Sequence, residues 1–300
     1  MANLRDIRNR IGSVQNTQQI TKAMKMVAAA KLRKAQDRMI STRPYASKIK
    51  DVVSRLVGSA GGKNPIMRSP DKVDNVLFIV IGSDRGLCGG FNNNLFKEIE
   101  KKLSDEFETH LENNSLSLVT IGKKATSYFK KRKYKVAEGF PGFFDNIEYE
   151  PVADIMADAI ERFGSEEYDE VYIAFNEFKS VIAQTRTIQK VLPIDTEKMS
   201  GSDDNSDHAS QQSIDYIYEP DSDAILEKLL PLHLNMQLWR AILESNAAEQ
   251  GARMTAMDNA TENAKDLERE LKLKYNQARQ SAITTEISEI VSGAQALSDN

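Results

Sequence analysis

Val76-Leu77-Phe78-Ile79-Val80-Ile81 is six apolar residues in a row, without the alternation that marks a strand with one wet face. Such a run reads as a strand buried on both faces, as in a parallel sheet covered by helices. The residues downstream agree. A Gly-rich loop leads into a helix with Leu95, Phe96, Ile99 and Leu103 on one face. Leu116 to Ile121 reads as the next strand, followed by a basic helix around Ala125 to Lys131. Val136 to Phe140 is a weaker strand, and Ile155, Met156, Ala159, Ile160 and Phe163 set out a third helix. Val171 to Phe175 is a further strand, and the alternation from Thr185 to Leu192 suits an edge strand. This β and α alternation predicts a Rossmann-like α/β domain over 74–194, doubly wound and largely parallel.

The chain ends follow a different period. Leu4, Ile7, Ile11 and Val14 step by three and four, as do Ala28, Leu32, Ala35 and Met39. Pro44 is the first interruption after Ser13 and a place for a kink, since Ile49, Val52, Val53 and Leu56 resume the spacing. Gly58 and the Ala60-Gly61-Gly62 stretch end the pattern, so 1–58 is expected as one long helix, on the order of 80 Å if continuous. Met254, Met257, Thr261, Ala264, Leu267, Leu271, Tyr275, Ala278 and Ala282 keep the same steps at the other end. Pro231 suits the first turn of that helix, with a shorter helix from Asp223 to Leu230 before it, the two filling 222–296. Patterns this long point to a coiled coil, or to a helix packed on partners. A seam of Ala, Thr and Met buries little area, so the pair is weak alone and needs something around it. One helix enters the α/β domain and the other leaves it, so pairing makes them antiparallel. The 195–221 segment, rich in Ser and Asp, reads as a flexible polar loop.

Composition excludes several classes. The net charge of −4 over 300 residues gives no global argument for nucleic acid. A single cysteine, Cys88, rules out an internal disulfide and a four-cysteine zinc cluster. His110, His208 and His233 show no metal-ligand spacing, so neither metal nor cofactor is expected. No apolar run approaches the roughly 20 residues of a membrane helix, and no apolar signal core stands at the start. The expectation is a soluble chain in a reducing compartment, without membrane insertion. Charge is nonetheless uneven. Residues 1–50 carry twelve Lys and Arg against Asp6 and Asp37, a net of +10, while 221–300 carry eight bases against thirteen acids, a net of −5. The ends are therefore suited to meet each other or charged partners, the plainer alternative being a solvated basic face.

Ser83-Asp-Arg-Gly-Leu-Cys-Gly-Gly-Phe-Asn92 lies between strand and helix, where phosphate loops occur. Its glycines, Gly86, Gly89 and Gly90, fit neither a dinucleotide fingerprint nor a Lys-Ser/Thr phosphate loop. The next strand ends Ile121-Gly122-Lys123, without a ribose-binding acid. Asp84 and Arg85 therefore read first as groups that satisfy backbone at the strand's end. Cys88 reads as a small apolar filler, with no His near it in sequence.

Five stretches in order resemble the γ subunits of F-type ATP synthases of bacterial type, across nearly the whole chain. They are Ile20-Thr-Lys-Ala-Met-Lys-Met-Val-Ala-Ala-Ala-Lys31, Asp84-Arg-Gly-Leu-Cys-Gly-Gly-Phe-Asn92, Gln250-Gly-Ala-Arg-Met-Thr-Ala-Met-Asp-Asn-Ala260, Tyr275-Asn-Gln-Ala-Arg-Gln280 and Ile283-Thr-Thr-Glu-Ile-Ser-Glu-Ile-Val-Ser-Gly-Ala294. Ser281 departs from the usual Ala. The resemblance implies a non-catalytic rotor whose paired helices stand inside a ring of three α and three β subunits. It implies that Arg279, Gln280 and Thr284 hydrogen-bond a β-subunit loop, with Met24 close by. It also places the α/β domain on the ring of membrane c subunits beside ε, on the cytoplasmic side of the bacterial cell membrane. Lys31, Arg33, Lys34 and Arg38 are expected near acidic loops of the β subunits. From the residues alone, Met24 reads as core filling, and Arg279 and Gln280 as a solvated face. Two other classes stand beside the rotor. One is a coiled-coil adaptor whose basic helix grips an acidic partner or nucleic acid, though almost no aromatic accompanies that helix and Tyr45 lies beyond Pro44. The other is a nucleotide-dependent α/β enzyme, which the missing phosphate motif opposes.

Overall fold

The computed structural model describes residues 4–59, 65–70, 72–194 and 221–298. The Ala60–Gly62 stop signal lies outside these residues, as does the polar loop read at 195–221, apart from Asp221. Contacts divide the chain into two compact units, Met1–Ala29 with Arg253–Asn300, and Ala30–Ala252.

The larger unit holds a five-stranded sheet of order β3-β2-β1-β4-β5. β1 (Val76–Ile81) lies between β2 (Leu116–Ile121) and β4 (Glu170–Phe178), parallel to both. β3 (Val136–Phe140) extends the parallel side, and β5 (Gln184–Leu192) pairs antiparallel with β4 at the opposite edge. All six β1 side chains are buried, as the unbroken apolar run requires. Val76, Phe78 and Val80 face α2 (Phe91–Glu106) and α4 (Lys123–Lys131) through Leu95, Phe96, Ile99, Ala125 and Phe129. Leu77, Ile79 and Ile81 face the other way, toward α5 (Tyr149–Gly164), which supplies Val152, Met156 and Phe163. The same core includes Ile49, Val53 and Leu56 of α1 (Leu4–Ser59) and Leu226, Leu230, Leu234 and Leu238 of α6 (Ser222–Ser298). Helices thus cover both faces, the doubly wound arrangement that lets a parallel sheet be apolar throughout. A short α3 (Glu108–Glu112), which no sequence period announces, follows α2.

Among the described residues, Pro44 and Pro231 sit in helix interiors, beyond the first turn. α1 runs through Pro44 as one helix. α6 likewise runs through Pro231, so the shorter helix expected from Asp223 to Leu230, with Pro231 in a new first turn, is corrected to a single element. Its start is fixed upstream, where Asp221 Oδ1 accepts from Ala224 N at 2.8 Å as an N-cap. Leu226, Leu230, Leu234 and Leu238 form one buried stripe across the proline. Burying four leucines, each worth about 1.5–3 kcal/mol, outweighs the roughly 3 kcal/mol cost of an internal proline.

The chain between α1 and β1 is held by a charged clamp. Arg68 donates to the carbonyls of Phe163 (3.0 Å) and Tyr168 (2.6 Å) and pairs with Asp169 at 3.3 Å. Asp169 Oδ2 accepts from the backbone N–H groups of Asp74 and Asn75. Burial opposes ionisation of Asp169, but the two N–H donors and Arg68 together outweigh it and hold the carboxyl below its ordinary range.

In the smaller unit, α1 and α6 pair antiparallel. Arg8 donates to the Tyr275 hydroxyl (2.7 Å), Gln15 to Glu268 (2.8 Å) and Thr261 to Thr21 (2.7 Å), and Lys25 pairs with Asp258. Seventeen residues forward on α1, from Arg8 to Lys25, are matched by seventeen backward on α6, from Tyr275 to Asp258. Ile7, Thr21, Met257, Ala264 and Leu271 are buried in the seam, whereas Leu267, read as a seam position, is exposed. Turned about 60° from Ala264, it lies at the edge of the stripe.

Candidate functional site

The Gly-rich loop is closed by hydrogen bonds at both of its junctions with helices. Asp84 Oδ1 accepts from the backbone N–H of Lys123 (2.8 Å) and Gly142 (2.7 Å), and Oδ2 from that of Phe144 (2.8 Å). A carboxylate therefore already occupies the N-terminus of α4, where a phosphate would otherwise find the helix's free donors. The start of α2 is closed as well. Asn92 Oδ1 accepts from Ser83 N at 3.0 Å, while Asn92 Nδ2 donates to Ser83 Oγ at 2.7 Å. Between them Gly122, at φ +98°, brings the two strand ends together, and a Cβ there would lie 3.0 Å from the Gly82 carbonyl. Asp84 satisfies backbone, as its position in the sequence suggests. Arg85 pairs with Asp145 at the surface. Cys88 is buried against Phe91 and Ala248, a filler as expected. Among the described residues no group of His, Cys, Asp and Glu could hold a metal ion.

The expected partner-binding residues fall on the long helices. Arg279, Gln280 and Thr284 are all exposed on α6, and Thr284 donates to its own helix, at the Gln280 carbonyl (2.9 Å). In the observed register Tyr275 meets Arg8, so Arg279 lies opposite the first described turn of α1 and Thr284 beyond it. The apolar residues of this stretch are bare: Ile283 is 47%, Ile287 56%, Ile290 70% and Val291 55% exposed. They recur every three or four residues, which places them on one helix face together with Arg279, Gln280 and Thr284. Sequence spacing alone assigned Ala278 and Ala282 to a seam. It did not reveal that the isoleucines beside them are exposed.

Met24 is half-buried on α1 and shares a face with Ile20 and Val27, both more than half exposed. In the larger unit Lys31, Arg33, Lys34 and Arg38 are all exposed. Lys31, Lys34 and Arg38, at spacings of three and four, lie on one face of α1. Arg33 is turned about 200° from Lys31 and does not join them. The structure thus brings together three of the four.

His233 is the strongly perturbed titratable group of the α6 packing surface. Burial, with a smaller contribution from Lys50, lowers its pKa to about 4. It stays neutral beside Gln237, whose Nε2 lies 2.7 Å from His233 Nε2, while Gln237 Oε1 accepts from Gln189 of β5 at 2.9 Å. This chain of hydrogen bonds links the helix to the sheet edge.

Comparisons with known proteins agree with this picture. The family model described as ATP synthase matches residues 3–297. The chain is 49% identical over 298 residues to the ATP synthase gamma chain of Chlorobium phaeobacteroides (strain BS1), covering 99% of each chain. It is 48% identical over 298 residues to that of Chlorobaculum tepidum, with the same coverage. Among solved structures it resembles a chain of the rotor of Euglena gracilis mitochondrial ATP synthase, at 20% identity and a TM-score of 0.65, covering 93% of this chain and 98% of that one. A chain of the central stalk and c-ring structure of the Tetrahymena thermophila enzyme matches at 24% identity and a TM-score of 0.59, covering 80% and 99%.

Proposed function

The chain belongs to the ATP synthase γ-chain family, and from that membership we propose how its surfaces are used. As a γ chain it is a non-catalytic part of the rotary ATP synthase, the central-stalk element that couples rotation to catalytic sites carried by other subunits. The paired helices, 1–58 and 222–296, act as the shaft inside a ring of α and β subunits, and the α/β domain of 74–194 acts as its foot. One observation carries this reading: the exposed Ile283, Ile287, Ile290 and Val291 share a helix face with Arg279, Gln280 and Thr284. Contiguous apolar surface bordered by polar groups is the signature of a protein interface. An apolar sleeve covers the isoleucines, while Arg279 and Gln280 give charge-assisted and neutral hydrogen bonds to a β-subunit loop. Met24 bears on the same ring from α1.

Lys31, Lys34 and Arg38 face acidic loops of the β subunits and seat the rotor. Arg33, on another face, adds to the field without sharing their contact. The foot rests on the c ring beside ε, on the cytoplasmic side of a bacterial cell membrane. No described helix is long and apolar enough to cross a membrane. Coupling is conformational: the shaft's asymmetric surface favours a different state of each catalytic site in turn.

The test is co-purification of the tagged full chain with a large ATPase, followed by turnover of the assembled Arg279→Ala/Gln280→Ala variant. Assembly with reduced turnover is expected. A chain that purifies alone, or bound to an unrelated acidic protein, would instead favour the coiled-coil adaptor.

A further inference from the structure

The most concentrated charge in the larger unit lies on α4 and the turn after it. Residues 123–135 hold Lys123, Lys124, Lys130, Lys131, Arg132, Lys133 and Lys135, with no acid among them. Ala125 and Phe129 fix the buried side of α4. The four helix lysines then flank Ser127 on the opposite side, in two columns seven residues apart, all exposed. Arg132, Lys133 and Lys135 continue the exposed patch.

Little inside the molecule answers this charge. Arg132 pairs with Glu100 at 3.0 Å and lies 3.7 Å over the Tyr128 ring. None of the six lysines forms an ion pair among the described residues. Lys123 and Lys124 also sit in the first turn of α4, where the helix dipole disfavours cations, and that turn contains no acid. Asp84 caps the turn through the backbone N–H of Lys123, leaving the ammonium groups outside. The sequence thus accepts mutual repulsion and an opposing dipole at a surface position that packing does not dictate, a local conflict that a bound polyanion would relieve.

We propose that the lysine face of α4 docks on the anionic headgroups of a phospholipid bilayer, an inference that rests on the reading of this chain as a membrane-associated subunit. The chemistry of the patch selects that occupant. A protein interface has an apolar centre, and residues 123–135 expose no apolar side chain: Tyr128 and Tyr134 are half-buried. Single-stranded nucleic acid needs open aromatic faces, but the Tyr128 face is covered by Arg132. Lysine, a mobile and strongly hydrated point charge, suits a diffuse, fluid anionic surface better than a fixed bidentate site. Clusters of four to eight such residues are what anionic bilayers attract without insertion.

The probe is flotation of the purified full chain with vesicles of phosphatidylcholine, or of phosphatidylcholine mixed with phosphatidylglycerol. Binding to the anionic vesicles alone is expected, reversed by salt. Each lysine contributes roughly a fivefold gain in partitioning, so replacing Lys123, Lys124, Lys130 and Lys131 together with Gln should weaken it by several hundredfold, on the order of 10²–10³. These side chains are exposed, so an unchanged circular-dichroism melt shows that the variant folds. The control replaces Lys31, Arg33, Lys34 and Arg38 with Gln and should keep most of the binding. Equal binding to both vesicle types, no binding to either, or loss in the control but not in the α4 variant overturns the proposal. If the α4 variant binds vesicles like wild type but is lost from the detergent-solubilised ATPase, the patch is a contact for an acidic subunit and the lipid assignment is wrong. Co-purification of the wild-type chain with the ATPase is scored separately, so failure of the rotor reading is distinguishable from failure of this one.

Discussion

Thr261 Oγ1 donates to Thr21 Oγ1 at 2.7 Å, joining the two long helices by side-chain hydroxyls where a coiled coil ordinarily packs leucine. Each hydroxyl also has a carbonyl of its own helix in reach, Gln18 O for Thr21 and Met257 O for Thr261. Neither is stranded when the other is removed. A double-mutant cycle with Thr21→Val and Thr261→Val, read by thermal unfolding of the full chain, should give a coupling of only about 0.5–1 kcal/mol. A coupling several times larger would mean that the seam is stable by itself and needs no surrounding ring.

Asp84 holds three backbone donors from two separate segments. Asp84→Ala should destabilise the α/β domain by roughly 2–4 kcal/mol, since charge-assisted bonds are lost and N–H groups are left unpaired. Asp84→Asn, which keeps one acceptor oxygen, should cost less. Denaturant melts of both variants check the order.

Burial lowers the pKa of His233 from 6.5 to about 4, so the folded chain binds this proton less readily than the unfolded one. The stability associated with the neutral ring is fully present above pH 6.5 and declines as pH falls toward 4, by up to roughly 3 kcal/mol. His233→Leu should remove about one proton's worth of slope in that window, roughly 1.4 kcal/mol per pH unit at most, as read from urea midpoints at several pH values. An unchanged slope would place the acid sensitivity elsewhere.

The isolated chain should not bind MgATP. Its two loop-to-helix junctions are filled by Asp84 and Asn92, and the phosphate-loop motif is missing. Titration calorimetry should show no saturable heat, and a site of micromolar affinity would contradict the reading.

Much of this was legible in the residues. The apolar run 76–81 announces a central parallel strand, the alternation from Thr185 places β5 at an edge, and the position of Asp84 at a strand's end marks it as a backbone acceptor. Other features had no local signal. Pro231 suggested a helix start because local rules weigh a lost hydrogen bond, whereas the leucine stripe that outweighs it depends on the sheet beneath. The Arg68–Asp169 clamp joins residues 101 apart, a distance no period encodes. Charge alone groups Arg33 with Lys31, Lys34 and Arg38, and helix geometry separates it. The exposure of Ile283, Ile287 and Ile290 depends on the pairing register of the two helices, which no local period encodes.

The central claim is that this chain turns while others catalyse. The most direct measurement places a fluorophore on the exposed α3 through Glu108→Cys, Cys88 being buried and protected from labelling. The label's orientation is then followed in single complexes whose catalytic ring is fixed to a surface. The account predicts rotation in one direction that begins with MgATP and stops when hydrolysis is inhibited. A label that stays still, or that tumbles without regard to ATP while the immobilised complex continues to hydrolyse it, would contradict the account.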